Sequence, residues 1–271
     1  MMRIWMVCLT AVSVLMGDMA VEEFAGKLSR DIYQSTKQLE SLYGKKYRVK
    51  TRADMGMVAA VLQGKKEQWV VFRGTDELSD WLVNLDTQEV FFEDIKGALV
   101  HAGFFRMAQQ EMAAIALNQD MPVYVCGHSL GGALALLYGV MLHEKGYDVS
   151  IITFGAPPVG NGAFVDAFDA LSHIRYEHLL DPVPKATKES MEVLKRLLAL
   201  VDENSMEEGS IKRAIAFLKT TSYQFVHHGE ERMLTHIIEV DNPFSSEILL
   251  LPIRYHSMDS YQRAFDPGPL F

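Results

Sequence analysis

The chain has 271 residues, of which 49% are hydrophobic and 23% are charged. This is the composition of a globular protein, and the length suits one large α/β domain. The formal net charge of −9 argues against nucleic acid as a partner and against docking on anionic membranes by charge, because both attract basic surfaces. The two cysteines, Cys8 and Cys126, supply neither a disulfide framework nor a CxxC metal pair. The histidines show no zinc spacing, so we expect no metal and no cofactor.

The N-terminal segment allows two interpretations. An apolar run from Ile4 to Gly17 follows Arg3, which resembles a short signal peptide but equally suits a buried first helix. The run is too short to span a bilayer, and Asp18 stands where cleavage after Ala20 needs a small residue. Secretion through a weak or uncleaved signal therefore stays open beside a cytoplasmic location, which is our expectation.

Strand and helix patterns alternate along the rest of the chain. Apolar residues at approximately helical spacing predict a helix over Glu22–Leu42. Strands are predicted at Met57–Leu62 and Trp69–Phe72, and Gln63–Lys66 between them favours a hairpin turn. The later predicted elements are a helix over Arg106–Asn118, a strand over Pro122–Cys126, a helix over Ala133–His143, and strands over Ser150–Phe154 and Arg175–Leu180. This order implies right-handed parallel crossovers, and hence a single α/β domain over residues 1–271.

The alternation stops at Lys185–Thr221. Two amphipathic segments, Ser190–Val201 and Ser210–Lys219, lie on either side of an acidic, glycine-containing stretch. We expect a helical hairpin inserted into the domain, with its apolar faces buried against other parts of the protein. Two positions remain open for it: a cap over the active site, or a place on the flank of the sheet.

A predicted strand runs directly into Gly127-His128-Ser129-Leu130-Gly131, and a predicted helix follows. In a Gly-x-Ser-x-Gly turn between strand and helix, the sharp bend projects the serine hydroxyl and crowds both neighbours, which must be glycine. The N-terminus of the following helix presents free N–H groups, so the Leu130 N–H is placed to stabilise an oxyanion. The pattern predicts a catalytic Ser129.

Further motifs surround this turn. In chain order they are Val71–Thr75, Asp80-Trp81 with Asn84-Leu85, Val100–Phe104, Gly127–Ala133, Phe154–Pro157 with Val159–Asn161, Leu180–Pro184 and Phe225–Glu230. Together they resemble the class 3 lipase family, which includes fungal triacylglycerol lipases, and the resemblance runs from about Met57 to Tyr261. The chain departs from the family in its longer Lys185–Thr221 segment and in a stretch after Thr75 that is short for the family's mobile lid.

The resemblance implies an α/β-hydrolase fold, with a mostly parallel central sheet flanked by helices. Carried over to this sequence, the family's triad is Ser129, Asp181 and His256. The resemblance also implies that Thr75 and Leu130 form the oxyanion hole.

Each role has rivals in the sequence. A turn-capping role is the alternative for Asp181, and Asp166 and Asp169 are weaker acid candidates because they lie on a predicted helix. The rival histidines after Asp181 are His227, His228 and His236; the first two fall in a strand motif, which favours structural roles. Structural roles are also expected for His101, His128, Arg73 and Asp80.

The predicted activity is hydrolysis of acyl esters, as in a lipase or carboxylesterase, through an acyl-enzyme on Ser129. The alternatives are a phospholipase A1, a feruloyl-type esterase or an acyltransferase with the same machinery, and a hydrolase-like binding protein without activity. The expected partner is a small-molecule or lipid ester, with transient contact to a lipid interface and no nucleic acid.

Overall fold

The computed structural model describes residues 19–54, 57–75, 88–92, 95–185, 225–235, 255–263 and 265. Its strands are β1 (Arg48–Asp54), β2 (Met57–Gln63), β3 (Gln68–Phe72), β4 (Glu89–Phe91), β5 (Leu99–His101), β6 (Val123–His128), β7 (Val149–Phe154), β8 (His173–His178) and β9 (Glu230–Leu234). Its helices are α1 (19–31), α2 (Thr36–Tyr43), α3 (Ala102–Ala114), α4 (Leu130–Glu144), α5 (Gly162–Ala167) and α6 (Met258–Gln262).

Within these ranges, seven strands form one sheet in the order β1-β2-β3-β6-β7-β8-β9. The first three strands pair antiparallel, and every pairing from β3 to β9 is parallel. Strands β4 and β5 form a separate antiparallel pair. The predicted fold class, a mostly parallel sheet, is confirmed.

Alternation along the strands builds a core on each face of the sheet. In β3, Val70 and Phe72 join one cluster with residues of α3, α4 and α5, while Trp69 and Val71 join another with residues of α1, α2 and α6. Helix α4 is buried from Leu130 to Leu142. Helices therefore cover both faces, and the parallel strands all end at one edge of the sheet.

The N-terminal helix prediction is wrong in one respect, because Glu22–Leu42 is not one continuous helix. Helix α2 begins after Ser35, whose hydroxyl accepts a hydrogen bond from the Gln38 N–H while the Gln38 side chain bonds back to the Ser35 N–H. This reciprocal cap starts a new helix rather than continuing the old one.

The bounds of other helices and strands also differ from the predictions. Helix α3 begins four residues before the predicted Arg106, because the His101 Nδ1 accepts the Phe104 N–H and caps it. Strand β8 spans His173–His178 rather than Arg175–Leu180. Strand β1 was missed, since its Arg-Val-Lys-Thr-Arg-Ala-Asp sequence has no apolar run and pairs at the sheet edge.

Two predictions fall outside the described residues. All of the predicted Lys185–Thr221 hairpin except Lys185 lies outside them, so its form and its role as a cap stay predictions. The single-domain organisation also stays a prediction. Residues 1–18 are outside as well. In the ranges given above, no helix is long and apolar enough to cross a membrane.

Candidate active site

Ser129 occupies the turn between β6 and α4, with φ 57° and ψ −127°. It is the one non-glycine residue with positive φ in the described part of the chain, and such a conformation costs roughly 1–3 kcal/mol. The turn is closed tightly by its neighbours: a Cβ on Gly127 would lie 2.3 Å from the Gly131 carbonyl oxygen, and one on Gly131 would lie 2.2 Å from the Phe72 carbonyl oxygen. Both positions therefore require glycine.

The structure brings His256 to this serine. His256 lies just before α6, and its Nε2 is 2.8 Å from the Ser129 Oγ. Both side chains are buried. The distance is that of a hydrogen bond between a nucleophile and its general base.

Asp181 completes the arrangement from the loop after β8. Its Oδ2 is 2.8 Å from the His256 Nδ1, and its Oδ1 accepts a hydrogen bond of 2.9 Å from the Val183 N–H. Because an ionised carboxylate can only accept, the Nδ1 carries the hydrogen and the Nε2 is free to accept the serine proton. A second donor, the Tyr261 hydroxyl, lies 2.6 Å from the same Oδ2.

Gly155, after β7, lies close to the acid and to Tyr261. Its φ is +56°, and a Cβ there would be 2.9 Å from the Asp181 Oδ2 and 3.0 Å from the Tyr261 hydroxyl oxygen. A side chain would both strain the backbone and displace the carboxylate. The glycine in the Phe154–Pro157 motif therefore makes space for the acid.

The predicted oxyanion residues, Thr75 and Leu130, follow Gly74 and Ser129 in the chain. The turn after β3 packs against the nucleophile, since a Cβ on Gly74 would be 3.2 Å from the Ser129 Cβ and 2.7 Å from the His128 carbonyl oxygen. Thr75 follows, and its Oγ1 is buried with no hydrogen-bond partner among the described residues. Leu130 is the first residue of α4, so its N–H has no intrahelical acceptor. The residues next to these contacts therefore offer two donors without a described acceptor, the Thr75 hydroxyl and the Leu130 N–H.

His128, next to the nucleophile, has a scaffold contact. Burial first, and the nearby His256 second, hold its pKa well below the ordinary value, so the ring is neutral. Its Nε2–H donates to the His256 carbonyl oxygen over 2.5 Å, and its Nδ1 accepts from the Tyr33 hydroxyl at 3.1 Å. His128 therefore links the backbone of His256 to the turn that follows α1.

The rival histidines lie in other networks. The His228 Nε2 is 2.7 Å from the Phe168 carbonyl oxygen, and its Nδ1 is 3.1 Å from the His173 Nδ1. His173 begins β8, far from the end that leads to Asp181, and its Nε2 is 3.0 Å from the Thr153 Oγ1. Burial lowers the pKa of both rings.

His227 contacts the loop that carries Asp181. Its Nε2 is 2.6 Å from the Pro184 carbonyl oxygen and 3.3 Å from the Glu177 carboxylate. Glu177 is paired with Arg175 and, at 2.7 Å, with Lys185. These contacts support the loop that carries Asp181.

Other predicted residues take no such position or cannot be placed. Asp166 lies in α5 and Asp169 in the turn after it. Arg73 stacks over the Tyr33 ring at 5.1 Å. Asp80 and His236 lie outside the described residues. Within the described ranges, no cluster of three His, Cys, Asp or Glu side chains could hold a metal ion.

The fold and the site together define an α/β-hydrolase in which one histidine contacts both a serine and an aspartate. A sequence profile of the family described as lipase (class 3) matches residues 69–191, from β3 to beyond Asp181.

Curated relatives share this part of the chain. The secreted mono- and diacylglycerol lipase 1 of Fusarium solani is 29% identical over 147 residues, which cover 51% of this chain and 44% of that protein. The lipase of Rhizomucor miehei is 35% identical over 123 residues, covering 40% of this chain and 34% of that protein. The chain thus spans less than half the length of these relatives.

Solved structures agree with the fold. A Rhizomucor miehei triacylglyceride lipase superposes with a TM-score of 0.53 at 25% identity, over 63% of this chain and 74% of that one. The M37 lipase superposes with a TM-score of 0.61 at 21% identity, over 84% and 83%. The chain is thus similar to class 3 lipases over residues 69–191 and shares the fold of the solved lipase structures.

Proposed function

We propose that this protein is a serine ester hydrolase that cleaves acyl esters through an acyl-enzyme on Ser129. One observation carries the proposal: the His256 ring lies 2.8 Å from both the Ser129 hydroxyl oxygen and the Asp181 carboxylate. A buried serine with a histidine base and an oriented base partner is the arrangement that acyl transfer needs.

The first half of the reaction forms the acyl-enzyme. The Ser129 Oγ attacks the ester carbonyl carbon while its proton passes to the His256 Nε2. The carbonyl π electrons move to the oxygen, and the Thr75 hydroxyl and the Leu130 N–H stabilise the resulting oxyanion. When the ester C–O bond breaks, the His256 Nε2–H protonates the leaving alcohol.

The second half regenerates the enzyme. Water gives a proton to the His256 Nε2 and attacks the acyl carbon, and the acid is released as the serine takes its proton back. Asp181 stays ionised throughout; it holds the imidazole in the required tautomer and stabilises the imidazolium in both halves.

The proposed substrates are lipid esters of the acylglycerol type. The names of the relatives support this class, since they describe lipases of mono- and diacylglycerols and of triacylglycerides. Leu179 and Leu180, beside Asp181, are 55% and 50% exposed. Large exposed apolar side chains next to a site favour contact with an apolar surface, which supports transient contact with a lipid interface.

The location of the protein stays a prediction. The Fusarium solani relative is named as secreted, whereas our expectation from this sequence is cytoplasmic. Residues 1–18, on which the choice depends, lie outside the described ranges.

The test is hydrolysis of a p-nitrophenyl ester series and of emulsified mono-, di- and triacylglycerols, with Thr75→Val and Thr75→Ser alongside the wild type. We expect ester hydrolysis by the wild type, because the His256 ring is within hydrogen-bond distance of both the Ser129 hydroxyl and the Asp181 carboxylate. Valine keeps the shape of threonine but removes the donor, so kcat should fall about 10²- to 10³-fold, while serine keeps the hydroxyl and most of the activity.

Two results would count against the proposal. Failure of the folded wild type to cleave any ester in the panel contradicts the activity. Equal activity of Thr75→Val and wild type contradicts the oxyanion role of the hydroxyl.

A further inference from the structure

Tyr261 makes a contact that the reaction steps above do not use. Its hydroxyl donates to the Asp181 Oδ2 over 2.6 Å, and the His256 Nδ1 donates to the same oxygen over 2.8 Å. The direction of the tyrosine bond is settled by its other contact, because the hydroxyl oxygen accepts the His178 N–H at 3.1 Å. The phenol proton is therefore directed at the carboxylate.

This donor persists over the whole range in which an esterase works. Burial first, and then Asp181, raise the pKa of Tyr261 well above its ordinary value, so the phenol stays protonated. The ring is fully buried and packs beside Phe154 and His128. Its position is thus fixed by the core as well as by the hydrogen bonds.

We propose that Tyr261 is a positioning residue that sets how strongly Asp181 stabilises the protonated form of His256. The inference rests on the proposed function. Hydrogen bonds to a charged carboxylate disperse its negative charge. An oxygen that accepts from both donors attracts the imidazolium less than one that accepts from His256 alone, so His256 gives up its proton more readily when Tyr261 is present.

The other groups around the carboxylate leave this role to Tyr261. From β6, His128 faces the site as a neutral ring. From the end of β8, the His178 Nδ1 accepts the Leu180 N–H, and the ring stacks on Tyr255 at 4.3 Å. Lys185 is a nearby cation, but its ammonium pairs with Glu177 at 2.7 Å.

The test follows the acid limb of the kcat/KM profile with a slow ester substrate in the full-length protein. In Tyr261→Phe the midpoint of that limb should move to higher pH by about half a pH unit or more, because Asp181 then holds the imidazolium more strongly. Replacement of Tyr261 by 3-fluorotyrosine makes the phenol a stronger donor, so the midpoint should move to lower pH.

The matched control is Tyr138→Phe. The Tyr138 hydroxyl is buried without a hydrogen-bond partner in the described part of the chain, and it lies in the core on the other face of the sheet. Its loss should leave the midpoint where it is. If Tyr261 has a purely structural role, both Tyr261 variants lose rate, but the midpoints of their acid limbs do not move in opposite directions.

An unmoved acid limb in both Tyr261 variants overturns the inference, and if Tyr261→Phe fails to fold, the fluorotyrosine protein alone decides. The proposed function fails separately, when the wild type shows no hydrolysis that depends on Ser129.

Discussion

Replacement of His227 by glutamine should remove part of the protein's loss of stability in acid. Burial first, and then the Arg175 guanidinium, lower the pKa of His227 to about 4 from an ordinary value of 6.5. The Glu177 carboxylate lies 3.3 Å away, but it is already paired with Arg175 and Lys185. We therefore expect the neutral ring in the folded protein down to about pH 4.

The sign follows from the lowered pKa. Between pH 6.5 and about 4, the unfolded chain binds a proton at His227 that the folded chain does not bind. The contribution of His227 to the free energy of unfolding is fully present above its unfolded-state pKa of 6.5. As pH falls from there towards the folded-state pKa, this contribution decreases by about 1.4 kcal/mol per pH unit. The side chain is only 15% exposed, so solvent screening is small. The loss from this one residue reaches about 3 kcal/mol near pH 4.

The assay is denaturant unfolding followed by tryptophan fluorescence at about pH 7 and about pH 4.5. Glutamine cannot titrate, and its amide can still donate to the Pro184 carbonyl. The variant should lose about 2 to 3 kcal/mol less than the wild type between the two pH values. The control is His143→Gln at the exposed end of α4, which should not change the difference. An equal acid loss in His227→Gln and wild type refutes the reasoning.

Two further predictions concern the site itself. His256→Ala should lose as much kcat/KM as Ser129→Ala, because the base and the nucleophile act as a unit, whereas His228→Gln should keep most of its activity; an active His256→Ala protein beside an inactive, folded His228→Gln protein would reverse the assignment. Gly155→Ala should lower the free energy of unfolding by about 1–2 kcal/mol, because an alanine is strained at the positive φ of this position. It should also lower kcat/KM about 10- to 100-fold, because the added Cβ displaces Asp181. Steady-state kinetics and denaturant unfolding of Gly155→Ala test this prediction, and an unchanged kcat/KM would contradict it.

The nucleophile turn was predictable because its requirement is local and steric. Gly127 and Gly131 are spaced so that the strand and helix can close on Ser129, and the structure shows the backbone atoms that a Cβ would strike. The fold class was predictable for a similar reason, since apolar runs of strand length alternate with helical spacing. The start of a new helix after Ser35 was also predictable from the sequence, because Ser35 and Gln38 form the Ser-x-x-Gln capping pattern.

Long-range contacts had no such local signal. His256 and Asp181 are 75 residues apart, and His256 and Ser129 are 127 apart. Their proximity was therefore predicted from the family resemblance and not from the spacing of the residues. The bond between Tyr261 and Asp181 was not predicted, because no pattern marks a tyrosine as a partner of a distant carboxylate. Strand β1 was missed since an edge strand buries little and its charged residues hide the alternation.

The central claim is that Ser129 is an activated nucleophile, and labelling with a fluorophosphonate probe measures this most directly. The account predicts one label per chain, located by mass spectrometry on Ser129, and matched loss of label and ester hydrolysis in Ser129→Ala, with kcat reduced on the order of 10⁵- to 10⁶-fold. Ser150→Ala, at the start of β7, should label and turn over like the wild type. A folded Ser129→Ala protein that still labels, or that hydrolyses esters at the wild-type rate, would contradict the account.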